Sequence, residues 1–250
     1  PGITYGGIIH QGGLRGDDMI LAISQICSFF ADREFKSIIY KAVPIFYHQA
    51  PALDDLYALH RLGACCFRVD LSSLIDLRNR LTVSKRRRRS HKKALKAGVQ
   101  IVYGVEYIPK LWDVLANNLR EKYGATPTHT LDEILCLIHL FPESIQCIAA
   151  SVDDTIVAGI VIFKTPTAFH SQYIASSETG YKVSALDVLF ESDIEQAIRD
   201  GRLWFDFGIS TEEQGNYLNS GLYRFKSEFG AGGAVHQFYE LNLEQVTFLK

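Results

Sequence analysis

The sequence predicts an α/β protein built on a mixed sheet, and three observations point there. From residue 99 to residue 241 the apolar periodicity switches between 3.6 and 2 in the order β-α-α-β-β-β-α-β-α-β. Three of the strand-like runs, 145–152, 155–163 and 168–175, follow one another without a helix, which makes an antiparallel meander inside the sheet. Neither GxGxxG nor GxxxxGK[ST] occurs anywhere, so a dinucleotide or P-loop fold is excluded.

Along the chain, Asp17 and Asp18 open a helix whose Ile20, Ile23, Cys27 and Phe30 recur at three or four positions. A strand at 37–42, a helix at 53–62 ended by Gly63 and a strand at 65–71 follow, and residues 3–10 read as a first strand. A basic helix at 79–97 stops at Gly98, and the strand 99–105 leads into helices at 108–123 and 131–141. Thr130 with Glu133 three residues on forms a capping box for the second of these. Asp153-Asp154 is the tight turn of the first hairpin. Ser184 starts a helix ended by Gly201, residues 203–207 are a short strand, 216–229 a helix stopped by Gly230, and 234–241 the last strand.

Composition narrows the class. At 250 residues with 47% hydrophobic and 22% charged residues the chain is an ordinary globular protein. Its longest apolar runs are strand-sized, far short of the roughly 20 residues of a membrane span. Cys27, Cys65, Cys66, Cys136 and Cys147 show no CxxC or Cys/His spacing, so no metal is expected and the thiols read as reduced core residues of a cytoplasmic protein. The opening Pro1 and its strand-like run suggest that sequence precedes it. Eight of the 26 basic residues fall between Lys85 and Lys96 without an acid among them, leaving 18 basic against 28 acidic residues elsewhere, so the positive potential is local.

Four segments, in this order, resemble the FemAB-like branch of the GNAT acyltransferase superfamily, in which two GNAT domains are fused. They are Pro1-Gly2-Ile3-Thr4-Tyr5-Gly6-Gly7, the basic helix from Lys85 to Ala94, Phe205-Asp206-Phe207-Gly208, and Gly221 to Gly230 with its Phe225-Lys226 pair. The Asp-Phe-Gly lies on a strand with no glycine-rich or catalytic loop, which rules out a kinase. The resemblance implies a GNAT acyl-CoA N-acyltransferase fold, α/β with a mixed sheet, with an N-terminally incomplete domain at 1–77 and a complete one at 78–250. It implies a bacterial N-acyltransferase moving an acyl group, acetyl above all, from acyl-CoA to an amine of a sugar nucleotide, cell-envelope precursor or related metabolite. A tRNA-dependent aminoacyltransferase and a non-catalytic binding protein are the alternatives.

The same resemblance places the candidate residues. Amine acylation needs a proton acceptor, a stabilised oxyanion and a hold on the donor's phosphates. The family's phosphate cradle maps onto Thr179 and the following Gly180, Tyr181, Lys182, Val183 and Ser184, where Lys182 departs from the usual glycine or alanine; an ordinary capped loop is the competing reading. Lys226 matches the lysine of the Phe-Lys motif and either stabilises developing charge or is a solvated residue at the edge of the 218/222/225/229 stripe. Asp206 faces the cleft or caps the next loop. His170 and Gln172 share one strand face and Tyr173 the other, so only one set can line a cleft; His170 is a base candidate or a packing residue. His170, Tyr173, Asp206 and Lys226 are the catalytic candidates; Gln172, His129, Tyr5 and Arg89 are those for substrate. The basic helix attracts a phosphate-bearing donor or acceptor, binds nucleic acid, or is simply solvated; the acidic remainder disfavours DNA wrapping. The acceptor is a small amine, tRNA is a conceivable donor, and oligomeric state is undecided.

Overall fold

The computed structural model describes residues 6–244. In chain order its elements begin with α1 (Asp17–Ala31), β1 (Ser37–Lys41), α2 (Asp54–Arg61), β2 (Cys65–Asp76), α3 (Lys85–Lys96) and β3 (Gln100–Tyr103). α4 (Ile108–Tyr123) and α5 (Leu131–Leu140) precede the meander β4 (Ile145–Val152), β5 (Thr155–Lys164) and β6 (Ala168–Ser176). Then come α6 (Glu178–Val183), α7 (Ala185–Arg199), β7 (Trp204–Ile209), β8 (Thr211–Glu212), β9 (Tyr217–Leu218), α8 (Ser220–Ser227) and β10 (Gly232–Asn242).

The chain folds as two units that do not follow its linear halves. Ser73–Gly208 with Ser220–Gly233 form the larger, while 6–72, Ile209–Asn219 and the stretch from Ala234 onward form the smaller. In the smaller unit the strand order is β1-β10-β2, with β1 and β10 antiparallel from Ser37/Asn242 to Lys41/Phe238. That pairing is why a C-terminal strand belongs with N-terminal elements. Its core joins Met19, Ile20, Ile23 and Cys27 of α1 to Leu59 and Leu241, and Tyr40 donates to the buried Asp55 at 2.7 Å. The strand expected at 3–10 is reduced to one bridge between Gly6 and Lys41 among the described residues.

In the larger unit the order is β2-β7-β6-β5-β4-β3. Asp153 and Asp154 turn the β4–β5 hairpin with φ of 47° and 59°, the two positive values a type I′ turn demands. Both sheet faces are covered, which is why β5 is apolar almost throughout. α7 buries Leu189, Phe190 and Ile194 against Ile148, Ile160, Ile162, Phe169 and Phe205. On the other face α4 and α5 bring Ile108, Leu111, Trp112 and Ile134 onto Cys147, Val161, Tyr173 and Ala175. Gly124 takes φ of 60° after α4, and Thr130 and Glu133 form the expected capping box.

Three expectations need correction. The basic helix starts at Lys85, where Ser84 accepts from the Arg87 amide, rather than at 79. The helix expected over 216–229 is only α8, because residues 213–215 adopt positive φ and Tyr217–Leu218 pair with β8. Of the cysteines expected in the core, only Cys27 and Cys147 are buried; Cys65, Cys66 and Cys136 are exposed, and all five are free thiols.

One buried group makes a pH-dependent prediction. Asp193 on α7 is 0% exposed, accepts from Gln146 Nε2 at 3.4 Å through Oδ1, and has no hydrogen-bond partner at Oδ2. Burial pushes its carboxyl well above the ordinary range, with the Lys164 charge opposing. The native state therefore holds a proton that the unfolded chain releases near pH ~3.9, and stability declines as pH rises above that value toward the native pKa. Asp193→Asn should raise the thermal midpoint at pH 7–8 and flatten this decline. Thermal unfolding from pH 4 to 8 reads both, and an unchanged slope would refute the assignment.

Candidate active site

β6 and β7 run parallel and register at Ala168/Trp204, Phe169/Phe205 and His170/Asp206. There pairing ends, although β6 continues to Ser176 and β7 to Ile209. Between the diverging strands the sheet opens, and the last registered pair is itself polar. His170 is 6% exposed and Asp206 0% exposed, with Nδ1 and Oδ2 2.8 Å apart. The other Asp206 oxygen accepts from the Gly208 amide at 2.9 Å. Asp206 thus caps the turn at Gly208, whose φ is 74°, and faces the histidine.

Lys226 reaches the same point from α8, donating to the Gly208 carbonyl at 2.9 Å. It is 4% exposed, so the solvated-edge reading does not hold. Burial pushes its amine down to about 8, with the Asp206 carboxylate opposing the shift.

The alternation assumed for β6 also fails, and instructively. Tyr173 opposes Val161, but Ser171 opposes Ile162, so a β-bulge at Gln172 shifts the register of β6 against β5. His170 opposes Phe163 and Tyr173 opposes Val161, and those two β5 positions share a face. Cross-strand partners point the same way, so His170 and Tyr173 lie on one face rather than two. Gln172 joins them: its Oε1 sits 3.1 Å from His170 Nε2, and its side chain hydrogen-bonds Tyr173. Tyr173 in turn hydrogen-bonds His129 Nδ1, and Trp112 donates to the His129 carbonyl at 3.3 Å while standing edge-on to the tyrosine ring. Burial raises the Tyr173 phenol, opposed by the Gln172 bond.

The segment expected to cradle phosphate is helical rather than a loop. Ser177 caps α6, and the amides of Gly180, Tyr181 and Ser184 are bonded to Ser177 Oγ, the Ser177 carbonyl and the Tyr181 carbonyl. Lys182 pairs with Glu178 at 2.7 Å, and Ser184 takes φ of 62° between α6 and α7 without side-chain capping. Gly180 is required for packing: a Cβ there would lie 2.4 Å from the Val157 carbonyl oxygen. Arg89 is exposed on α3, donating to the Lys85 carbonyl at 3.3 Å, and Tyr5 lies outside the described residues.

Sequence reasoning overlooked Arg87, the buried cation of α3. Seven residues before Ala94, which the fold buries, it falls on that residue's face of the helix. Among the described residues no group of His, Cys, Asp or Glu is arranged to hold a metal.

The model of the GNAT acetyltransferase domain matches residues 78–227. No curated protein matches the sequence. Among solved structures, FemX superposes with a TM-score of 0.67 at 12% identity over 90% of this chain and 76% of its own. L-PGS from Bacillus licheniformis gives 0.66 at 14% over 92% and 75%. The C-terminal domain of a putative lysylphosphatidylglycerol synthetase from Agrobacterium fabrum gives 0.64 at 16% over 88% and 72%. At such identities the likeness speaks for the fold, and the domain match for the family. The chain belongs to the GNAT acyltransferase family and has a FemX-like fold.

Proposed function

We propose that the protein transfers an acyl group from an activated carboxyl donor to an amine, in the opening between β6 and β7. The observation that supports this most is convergence: pairing stops at His170/Asp206, and Lys226 points into the same place from a different element. In the reaction the amine nitrogen forms a bond to the donor carbonyl carbon, whose oxygen gains negative charge. The Lys226 ammonium stabilises that oxyanion. His170, its Nδ1–H donating to Asp206, accepts the amine's proton at Nε2, and the Gln172 carbonyl oxygen 3.1 Å from that nitrogen, itself only an acceptor, gives way to the incoming amine. Collapse breaks the bond to the leaving sulfur or oxygen. Tyr173 and His129 line the acceptor side.

Two donors compete. Acyl-CoA would place its phosphates against Gly180, Tyr181, Lys182, Val183 and Ser184, yet three of those amides are already bonded and Lys182 is paired. An aminoacyl ester on tRNA is favoured instead by α3. Lys85, Arg86, Arg88, Arg89, Lys92, Lys93 and Lys96 are all exposed there. Cations in a helix's first turn oppose its dipole and repel each other, so their clustering serves something outside the helix. One fold neighbour is also named as the C-terminal domain of a putative lysylphosphatidylglycerol synthetase.

Binding separates the donors. Charged tRNA should bind with an affinity that drops roughly 100-fold between 50 and 200 mM salt if about four cations engage phosphates. Acetyl-CoA should leave the thermal midpoint unmoved. A midpoint rise with acetyl-CoA and salt-insensitive tRNA binding would reverse the choice of donor; no amide product from either donor with an amine panel would sink the enzyme reading.

A further inference from the structure

α8 spans only Ser220–Ser227, too short to hold its own orientation in isolation, yet it must aim Lys226 at the Gly208 carbonyl. Its alignment is imposed from outside, and the segment 80–87 supplies most of the grip. Arg87 is 6% exposed, its Nη1 lying 3.0 and 3.1 Å from the two Asp187 oxygens on α7 and its Nε 3.1 Å from Glu228. The guanidinium lies over the rings of Phe225 and Phe229, at 4.8 and 5.4 Å from their centroids. Lys226 sits between these gripped positions. Two further ties hold the backbone just beyond it: the Ser84 amide donates to the Glu228 carbonyl at 2.9 Å, and Arg80 Nε to that of Phe229 at 2.9 Å. Arg80 is itself anchored by both Glu191 oxygens at 2.7 and 2.9 Å.

We infer that Arg87 is a positioning residue: by joining α7 to the turn that ends α8 through Asp187 and Glu228 and bracketing Lys226 between two ring contacts, it fixes where the Lys226 ammonium points. A lysine cannot substitute, because a point charge cannot span carboxylates on α7 and on the turn after α8 while lying flat on two rings. This explains a buried arginine in a helix whose other cations face solvent. The kinetic part of the inference rests on acyl transfer; the titration below does not.

The test compares wild type, Arg87→Lys and Glu228→Gln by NMR titration of the lysine Nζ resonances, alongside turnover. Asp206 and His170 face Lys226 from the strands and are unchanged in both variants. In wild type the Lys226 amine should titrate near 8. In Arg87→Lys it should move toward the ordinary lysine value as the amine swings from its site, with kcat down roughly tenfold and the acceptor KM within about twofold. Glu228→Gln should shift both in the same direction by less, and serves alone should Arg87→Lys not fold. A folded variant with a lower thermal midpoint but an unmoved Lys226 titration would make Arg87 merely structural and overturn the inference. If wild type transfers no acyl group, the functional reading falls while the titration still decides the role of Arg87.

Discussion

Lys226→Met is expected to slow acyl transfer by roughly 10²–10³-fold and yet give a more stable protein near neutral pH. The lysine is 4% exposed and its amine is pushed from 10.5 down to about 8. A displacement of that size means that holding the charged form costs on the order of 3 kcal/mol at pH 7. The hydrogen bond to Gly208 offsets part of the cost, and methionine fills similar volume without the charge, so a net gain of about 1–2 kcal/mol is expected. The direction with pH follows from linkage. Because the native pKa lies below the unfolded one, the unfolded chain binds more protons between pH 8 and pH ~10.4, and wild-type stability recovers as pH rises through that window. Lys226→Met should lack this rise, so the two proteins converge toward pH 10. Loss of the oxyanion partner should lower kcat/KM by roughly 10²–10³-fold. Urea unfolding at pH 7 and pH 10 with single-turnover assays tests all of this, and a variant less stable at pH 7 with an unaltered pH slope would remove Lys226 from the buried site.

Much of this arrangement was legible before the structure, because it depends on local pattern. The 3.6 and 2 periodicities gave the meander and its flanking helices, and Thr130 with Glu133 marked the start of α5. The family motifs carry Asp206 and Lys226, strand position and an imidazole's intrinsic pKa add His170, and the fold brings the three into one place. What stayed hidden depends on non-local geometry. The bulge at Gln172 puts His170 and Tyr173 on one face, and nothing in the residues of β6 announces an extra residue against β5. Arg87 hid for a different reason: four consecutive arginines look alike in sequence, and only packing of α3 on α7 decides which one turns inward. α6 was read as a loop because six residues hold less than two helical turns, too few to show a period.

Asp206→Asn distinguishes the two roles that Asp206 holds at once. The substitution preserves shape, and its side-chain oxygen still accepts from the Gly208 amide, so a purely capping aspartate would tolerate it with little change. It removes the negative charge 2.8 Å from His170 Nδ1 and places an N–H donor there, so the ring presents an unprotonated Nδ1 and carries its proton on Nε2. The nitrogen that should accept the amine's proton is then already occupied, and turnover should drop by on the order of 10³-fold, as a wrong tautomer does in hydrolytic triads. Lys226 also loses the carboxylate that opposed its desolvation, so its amine should fall further below about 8. Asp206→Ala removes the cap as well, taking the buried acceptor from both the Gly208 amide and His170 Nδ1, which should cost about 1–3 kcal/mol for each group so deprived. The contrast is therefore specific: stability lost mainly in alanine, turnover lost in both. Equal turnover in wild type and Asp206→Asn would leave the aspartate as a turn cap and move proton acceptance to the Tyr173 and His129 side of the bulge.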